Sequence, residues 1–146
     1  MGLREQGVGE FLAALGARTP APASGAATAL TAALAAALVE LAARFAGDDE
    51  IATRANVLAA RLTQLADEDS EAYAAFMADR NEATRQRIID VPEEIATSAA
   101  EIERLADDVA TRVSRAVAGD AEAAAELARA ASRVARRLVA LNQGTG

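Results

Sequence analysis

The stretch from Gly25 to Phe45 constrains this chain more than any other. It carries no charge before Glu40; Leu30, Leu34, Leu38, Leu41 and Phe45 mark one side, and Ala or Thr covers most of the rest. A helix that is apolar all round is expected to be surrounded by other helices. Its small side chains let those neighbours come close. The uninterrupted apolar run from Ala26 to Leu38 is shorter than a bilayer-spanning helix and soon meets Glu40 and Arg44. A buried helix at the centre of a bundle follows, with no membrane partner expected.

The flanking segments supply the other helices. Residues 7–16 place Val8, Phe11, Leu12 and Leu15 on one face of a short helix. Arg18-Thr19-Pro20-Ala21-Pro22-Ala23-Ser24-Gly25 then forces an extended path, since each proline disfavours helix in the residue before it, and Ser24 is the expected N-cap of the apolar helix. After Gly47-Asp48-Asp49, a third helix is expected from about Asp49 as far as Ile89. Its seam is Ile51, Ala55, Leu58, Leu62, Leu65, Asp69, Ala72 and Phe76. Pro92 followed by Glu93 and Glu94 signals the start of a fourth helix with Ile95, Ile102, Val109 and Val117 on its seam. A turn at Gly119-Asp120 opens a fifth, and Asn142 to Gly146 should fray. The expectation is an all-α, up-and-down bundle of about five helices over residues 1–146 as one domain. A second copy is expected to complete the burial of the apolar helix, giving a homodimer.

Composition narrows the chemistry. The chain has 146 residues with no Cys and no His, and its 15 basic residues are all Arg. A His-based triad, a Schiff-base lysine, a cysteine nucleophile and a typical zinc site are excluded, so no metal is expected. Acid–base work falls to Asp, Glu, the single Tyr73 or water. A net charge of −7 provides no basic surplus for nucleic acid. Met1 to Gln6 lacks the basic region and apolar run of a signal peptide, so a cytoplasmic location is expected.

Asp69 is the anomaly. A carboxylate in an apolar seam must be protonated, paired or facing a wet cavity. It either pairs with an Arg of a neighbouring helix or turns to solvent, or it is a pocket carboxylate acting as general base or meeting a cationic ligand. Asp67 and Glu68 beside it are expected in solvent. The Pro22-Ala23-Ser24-Gly25 turn at a helix start is either an ordinary loop or an anion site made of free N–H groups. Tyr73, one turn after Asp69, either stacks on a planar ligand or fills core.

The order of these pieces resembles the cyclodeaminase/cyclohydrolase family, which includes the cyclodeaminase domain of formiminotransferase-cyclodeaminase and bacterial methenyltetrahydrofolate cyclohydrolases. The family's Thr-Pro-x-Pro-Gly-Gly-Gly-Ser loop corresponds to Thr19-Pro20-Ala21-Pro22-Ala23-Ser24-Gly25-Ala26. Its Asp-x-Asp-x-x-Ala-aromatic helix corresponds to Asp67-Glu68-Asp69-Ser70-Glu71-Ala72-Tyr73, followed by Met77-Ala78, Val91-Pro92 and a terminal Asn142. The resemblance implies a helical homodimer that binds a tetrahydrofolate derivative as substrate. Asp69 would be catalytic, and Pro22, Ala23, Ser24, Gly25 and Tyr73 would contact the ligand. The implied chemistry is hydrolysis of 5,10-methenyltetrahydrofolate or loss of ammonia from a formimino group. Because the triple glycine is Ala23-Ser24-Gly25 here, the alternative is a non-catalytic helical dimer that binds a ligand or partner protein.

Overall fold

The computed structural model describes residues 2–144. Five α-helices run along the chain: α1 (Val8–Gly16), α2 (Ser24–Ala46), α3 (Asp49–Ala78), α4 (Glu82–Ala110) and α5 (Arg115–Gln143), preceded by a single 3-10 turn at Leu3–Glu5. There is no strand among the described residues. Four of the helices form the bundle, with α2 packed against α3, α4 and α5.

α2 is central, but its buried side is not the leucine side. Ala26, Ala29, Ala32, Ala35, Ala36, Val39, Ala42 and Ala43 are fully buried, whereas Leu34 is 64% and Phe45 70% exposed. Small side chains permit three helices to crowd onto α2, so close approach excludes its larger residues from that side. Leu34, Leu41 and Phe45 are left exposed on the fourth side, while Leu30 and Leu38 are partly buried against the edge of the core. By length and hydropathy α2 would also suffice to cross a membrane, yet just over half of its most apolar window, 56%, lies buried within the bundle.

Three boundaries depart from expectation. α3 stops at Ala78 because Asn81 caps a new helix: its Oδ1 accepts the Thr84 N–H at 2.9 Å while Thr84 Oγ1 accepts the Asn81 N–H at 3.1 Å. Pro92 therefore lies inside α4 rather than at its start. The α4–α5 turn falls at residues 111–114, and Gly119-Asp120 lies within α5. A helical Gly costs about 1 kcal/mol relative to Ala, less than the burial gained by Val117 and Ala121 on the same helix. The third correction is at the C-terminus: α5 runs through Asn142 to Gln143, and of the expected frayed end Thr145 and Gly146 lie outside the described residues.

Pro92 and Asn142 are linked. A proline inside a helix leaves the carbonyl four residues earlier without its donor, here that of Ile88. The Asn142 side-chain amide donates to that carbonyl at 2.7 Å, tying the end of α5 to the turn of α4 before Pro92. Ion pairs bind the outer surfaces: Arg61 bridges Glu68 on its own helix and Glu94 of α4, both at 2.7 Å, and Arg129 joins α5 to Glu103 at 2.9 Å. Neither Asp67 nor Glu68 is a simple solvated charge. Asp67 accepts the Leu3 N–H at 2.6 Å and holds the N-terminal turn on α3.

Asn142→Leu should leave the Ile88 carbonyl without a donor and cost about 1–3 kcal/mol. In a Pro92→Ala background the restored residue-92 N–H can serve that carbonyl, so the same substitution should cost at least 1 kcal/mol less (approximately). Urea unfolding of the four variants measures this; equal costs in both backgrounds would refute the link.

Candidate functional site

Where α2 begins, the helix has few partners for its first amides. Its N-cap is Ala23, not Ser24, and no side chain caps it. Ser24 is the first helical residue; its carbonyl accepts the Thr28 hydroxyl at 2.6 Å. The first backbone bond of the helix runs from the Ala27 N–H to the Ala23 carbonyl at 3.1 Å. The amides before it point out of the helix end, as at any helix start.

Asp69 of α3 meets this end. A Cβ placed on Gly25 would coincide with the Asp69 carboxyl group, so the carboxylate lies directly on the glycine backbone. Gly25 is required here by close approach, and its own helical conformation would accept any residue. Among the described residues no cation pairs with Asp69 and no group donates a hydrogen bond to it. Burial pushes its carboxyl up from its ordinary value of 3.8 to about 6. Pairing with an Arg is thereby excluded, as is full exposure.

Asp69 faces a cavity of about 230 Å³. The linker lines it with Pro20, Ala21 and Ala23, α2 with Ser24 and Gly25, and α3 with Asp69 and Tyr73, while Ile88, Leu138 and Asn142 come from α4 and α5. Asp69 is the one charged side chain in this wall. Tyr73 stands at the rim, 39% exposed. Of the residues singled out in the sequence, Asp69, Ala23, Ser24, Gly25 and Tyr73 come together; Pro22 lies in the same loop but does not line the cavity. Ala26, the other residue replacing a loop position of the family, is fully buried in the core and does not line the cavity. Ile88 and Leu138 carried no local signal for a wall, because only the packing of α4 and α5 brings them here; Asn142, marked in the sequence only as the terminal Asn of the resemblance, joins them. No group of three carboxylates suited to a metal ion occurs among the described residues.

A sequence profile described as formiminotransferase-cyclodeaminase matches residues 7–145, nearly the entire chain. The chain belongs to this family. Its fold is also that of a formiminotetrahydrofolate cyclodeaminase from Thermotoga maritima, with a TM-score of 0.90 over 97% of this chain and 80% of that one, at 22% identity. No curated protein matches the sequence. Membership implies an enzyme related to folate.

Two outcomes follow from the Asp69 geometry. Gly25→Ala should destabilise by about 1–3 kcal/mol in the natural background through overpacking. With Asp69→Ala already present it should be neutral or stabilising, as Gly→Ala in a helix ordinarily is; equal effects in denaturant titrations would dismiss the contact. The second concerns pH. The native state holds the Asp69 proton to about pH 6, whereas the unfolded chain loses it near pH 4 (approximately). Unfolding therefore releases a proton between those values, and stability falls as pH rises through them. Asp69→Asn should match the natural protein below pH 4 (roughly) and exceed it by about 1–3 kcal/mol above pH 6; a constant difference across that range would refute the shift.

Proposed function

We propose that this protein is a folate-dependent enzyme of one-carbon metabolism, acting as a cytoplasmic homodimer. Its reaction is the hydrolysis of 5,10-methenyltetrahydrofolate to 10-formyltetrahydrofolate, or the related loss of ammonia from a formimino group. The observation that carries this reading is Asp69: among the described residues, an unpaired, half-buried carboxylate and the only charge in the wall of a small cavity at a helix N-terminus. Such a wall attracts a cationic centre such as the methenyl amidinium.

Asp69 is the general base. With its carboxyl near 6, it is ionised at neutral pH yet more basic than an ordinary carboxylate. It takes a proton from water as the water oxygen bonds to the methenyl carbon. It returns that proton to N5 as the carbon–N5 bond breaks, and the hydroxyl proton leaves to solvent as the formyl group forms on N10. The outward amides of the α2 start and the Ser24 hydroxyl hold a carbonyl oxygen of the ligand. Tyr73 covers the ring system from the rim. The cavity is smaller than the roughly 300–1,000 Å³ that encloses a drug-sized ligand, so it takes the reacting rings and leaves the rest of the folate outside. Ala23 adds one methyl to the wall, and Ala26 adds none.

Asp69→Asn keeps the shape of the side chain and removes the base. Hydrolysis of 5,10-methenyltetrahydrofolate, followed by loss of its near-ultraviolet absorbance, should slow by about 10²–10⁴-fold while the helical circular dichroism is retained. Undiminished turnover would remove Asp69 from the mechanism. Binding of reduced folate with no turnover in the natural protein would instead favour the non-catalytic helical binding protein.

A further inference from the structure

The wall of the Asp69 cavity has a second polar group that the chemistry above does not use. α3 and α5 each pack on α2 and α4 and stand at opposite corners of the bundle, with the cavity between them. From α3 it receives Asp69 and Tyr73, one helical turn apart on the same face; from α5 it receives Leu138 and Asn142, spaced in the same way. Ile88 of α4 completes the α5 side. One side of the cavity therefore offers a carboxylate and a phenol, and the other offers a neutral carboxamide set between two aliphatic side chains.

Asn142 is also held in a fixed orientation. Its amide nitrogen donates to the Ile88 carbonyl at 2.7 Å, which decides the end of the carboxamide that is nitrogen and keeps the head at the wall. A group fixed before the ligand arrives loses little freedom on binding it. Its neutrality matters equally. An arginine at this position would answer the charge of Asp69 across a cavity of about 230 Å³, and a carboxylate would repel it and could not donate to Ile88. A carboxamide adds polar recognition and leaves the Asp69 charge to the cationic centre of the ligand.

We propose that Asn142 is a substrate-binding and specificity-determining residue, whose carboxamide recognises the neutral polar edge of the ring system while Asp69 meets its cationic bridge. The proposal rests on the folate reading above. The pyrimidinone ring of a reduced folate carries a lactam N–H, a carbonyl and an amino group side by side. The carbonyl lies next to N5 and falls to the amides at the start of α2 and to Ser24. The lactam N–H and the amino group lie farther from the bridge and fall to Asn142, a side chain that is itself a donor beside an acceptor. Ile88 and Leu138 supply the apolar contact that a flat ring needs beside that edge.

A residue that only served the Ile88 carbonyl would give the same stability effect, so the test separates the two roles. Asn142→Leu should raise KM for 5,10-methenyltetrahydrofolate by about 10-fold or more and change kcat by less than about 3-fold, because the contact is made equally in ground and transition states. In the Pro92→Ala background, where the residue-92 N–H can serve Ile88, the same substitution should raise KM by the same factor. A rise that disappears in that background would reduce Asn142 to a support for α4 and overturn the proposal. Two competitive inhibitors supply an independent measurement without Pro92→Ala: pterin, which has the polar edge and no bridge, and 1,3-diphenylimidazolinium, which has the amidinium and no such edge. Asn142→Leu should weaken inhibition by pterin about 10-fold and leave that by the imidazolinium within about 3-fold. Equal weakening of both would mean a distorted cavity and would also overturn the proposal. A natural protein inert toward 5,10-methenyltetrahydrofolate would remove the folate reading and this assignment with it, whereas turnover with a KM indifferent to Asn142→Leu would remove this assignment alone.

Discussion

Close packing on the alanine side of α2 governs this fold. Three helices reach α2 because Ala29, Ala32, Ala36 and Ala43 present little more than a methyl group to each. Helices that approach so closely gain contact along their whole length, and the larger side chains of α2 have no room among them. Everything else is arranged around that choice: α3 and α4 are clamped by Arg61 and its two glutamates, α5 closes the remaining side, and Leu34, Leu41 and Phe45 of α2 face outward.

The same preference for small residues builds the candidate site. Gly25 continues the small side of α2 to its first turn, and without a Cβ there the helix can accept the Asp69 carboxyl group against its backbone. That position is what burial makes unfavourable for the ionised form, so the shift toward 6 and the close approach have one origin. The opposite wall depends on a missing donor. Pro92 leaves the Ile88 carbonyl unserved, Asn142 serves it, and both Ile88 and Asn142 are thereby set in the cavity wall.

Much of this was readable from the residues. The apolar stripe of α3, with Asp69 interrupting it, marked the carboxylate as unusual without any coordinates, and Thr19-Pro20-Ala21-Pro22 marked the linker. The boundary between α3 and α4 was less legible. Pro92 is a strong local signal for a helix start, but the reciprocal bonds of Asn81 and Thr84 decide the start ten residues earlier, and the burial of α4 carries the helix through the proline. Gly119 misled for a similar reason: a local preference of about 1 kcal/mol yields to the packing of Val117 and Ala121 on either side of it.

Periodicity and composition alone determined that the chain is helical, that α2 is its centre, and that Asp69 interrupts an apolar seam. They also removed His, Cys and Lys chemistry from consideration, because those residues are absent. Only the tertiary structure decided which side of α2 faces inward, since leucine and alanine are both apolar and a helical period does not distinguish a core side from an interface side. It also decided that Asp69 meets Gly25 rather than an arginine, and that Ile88, Leu138 and Asn142 share its cavity. Those contacts join residues far apart in the chain, and their cause is the distance at which whole helices come to rest.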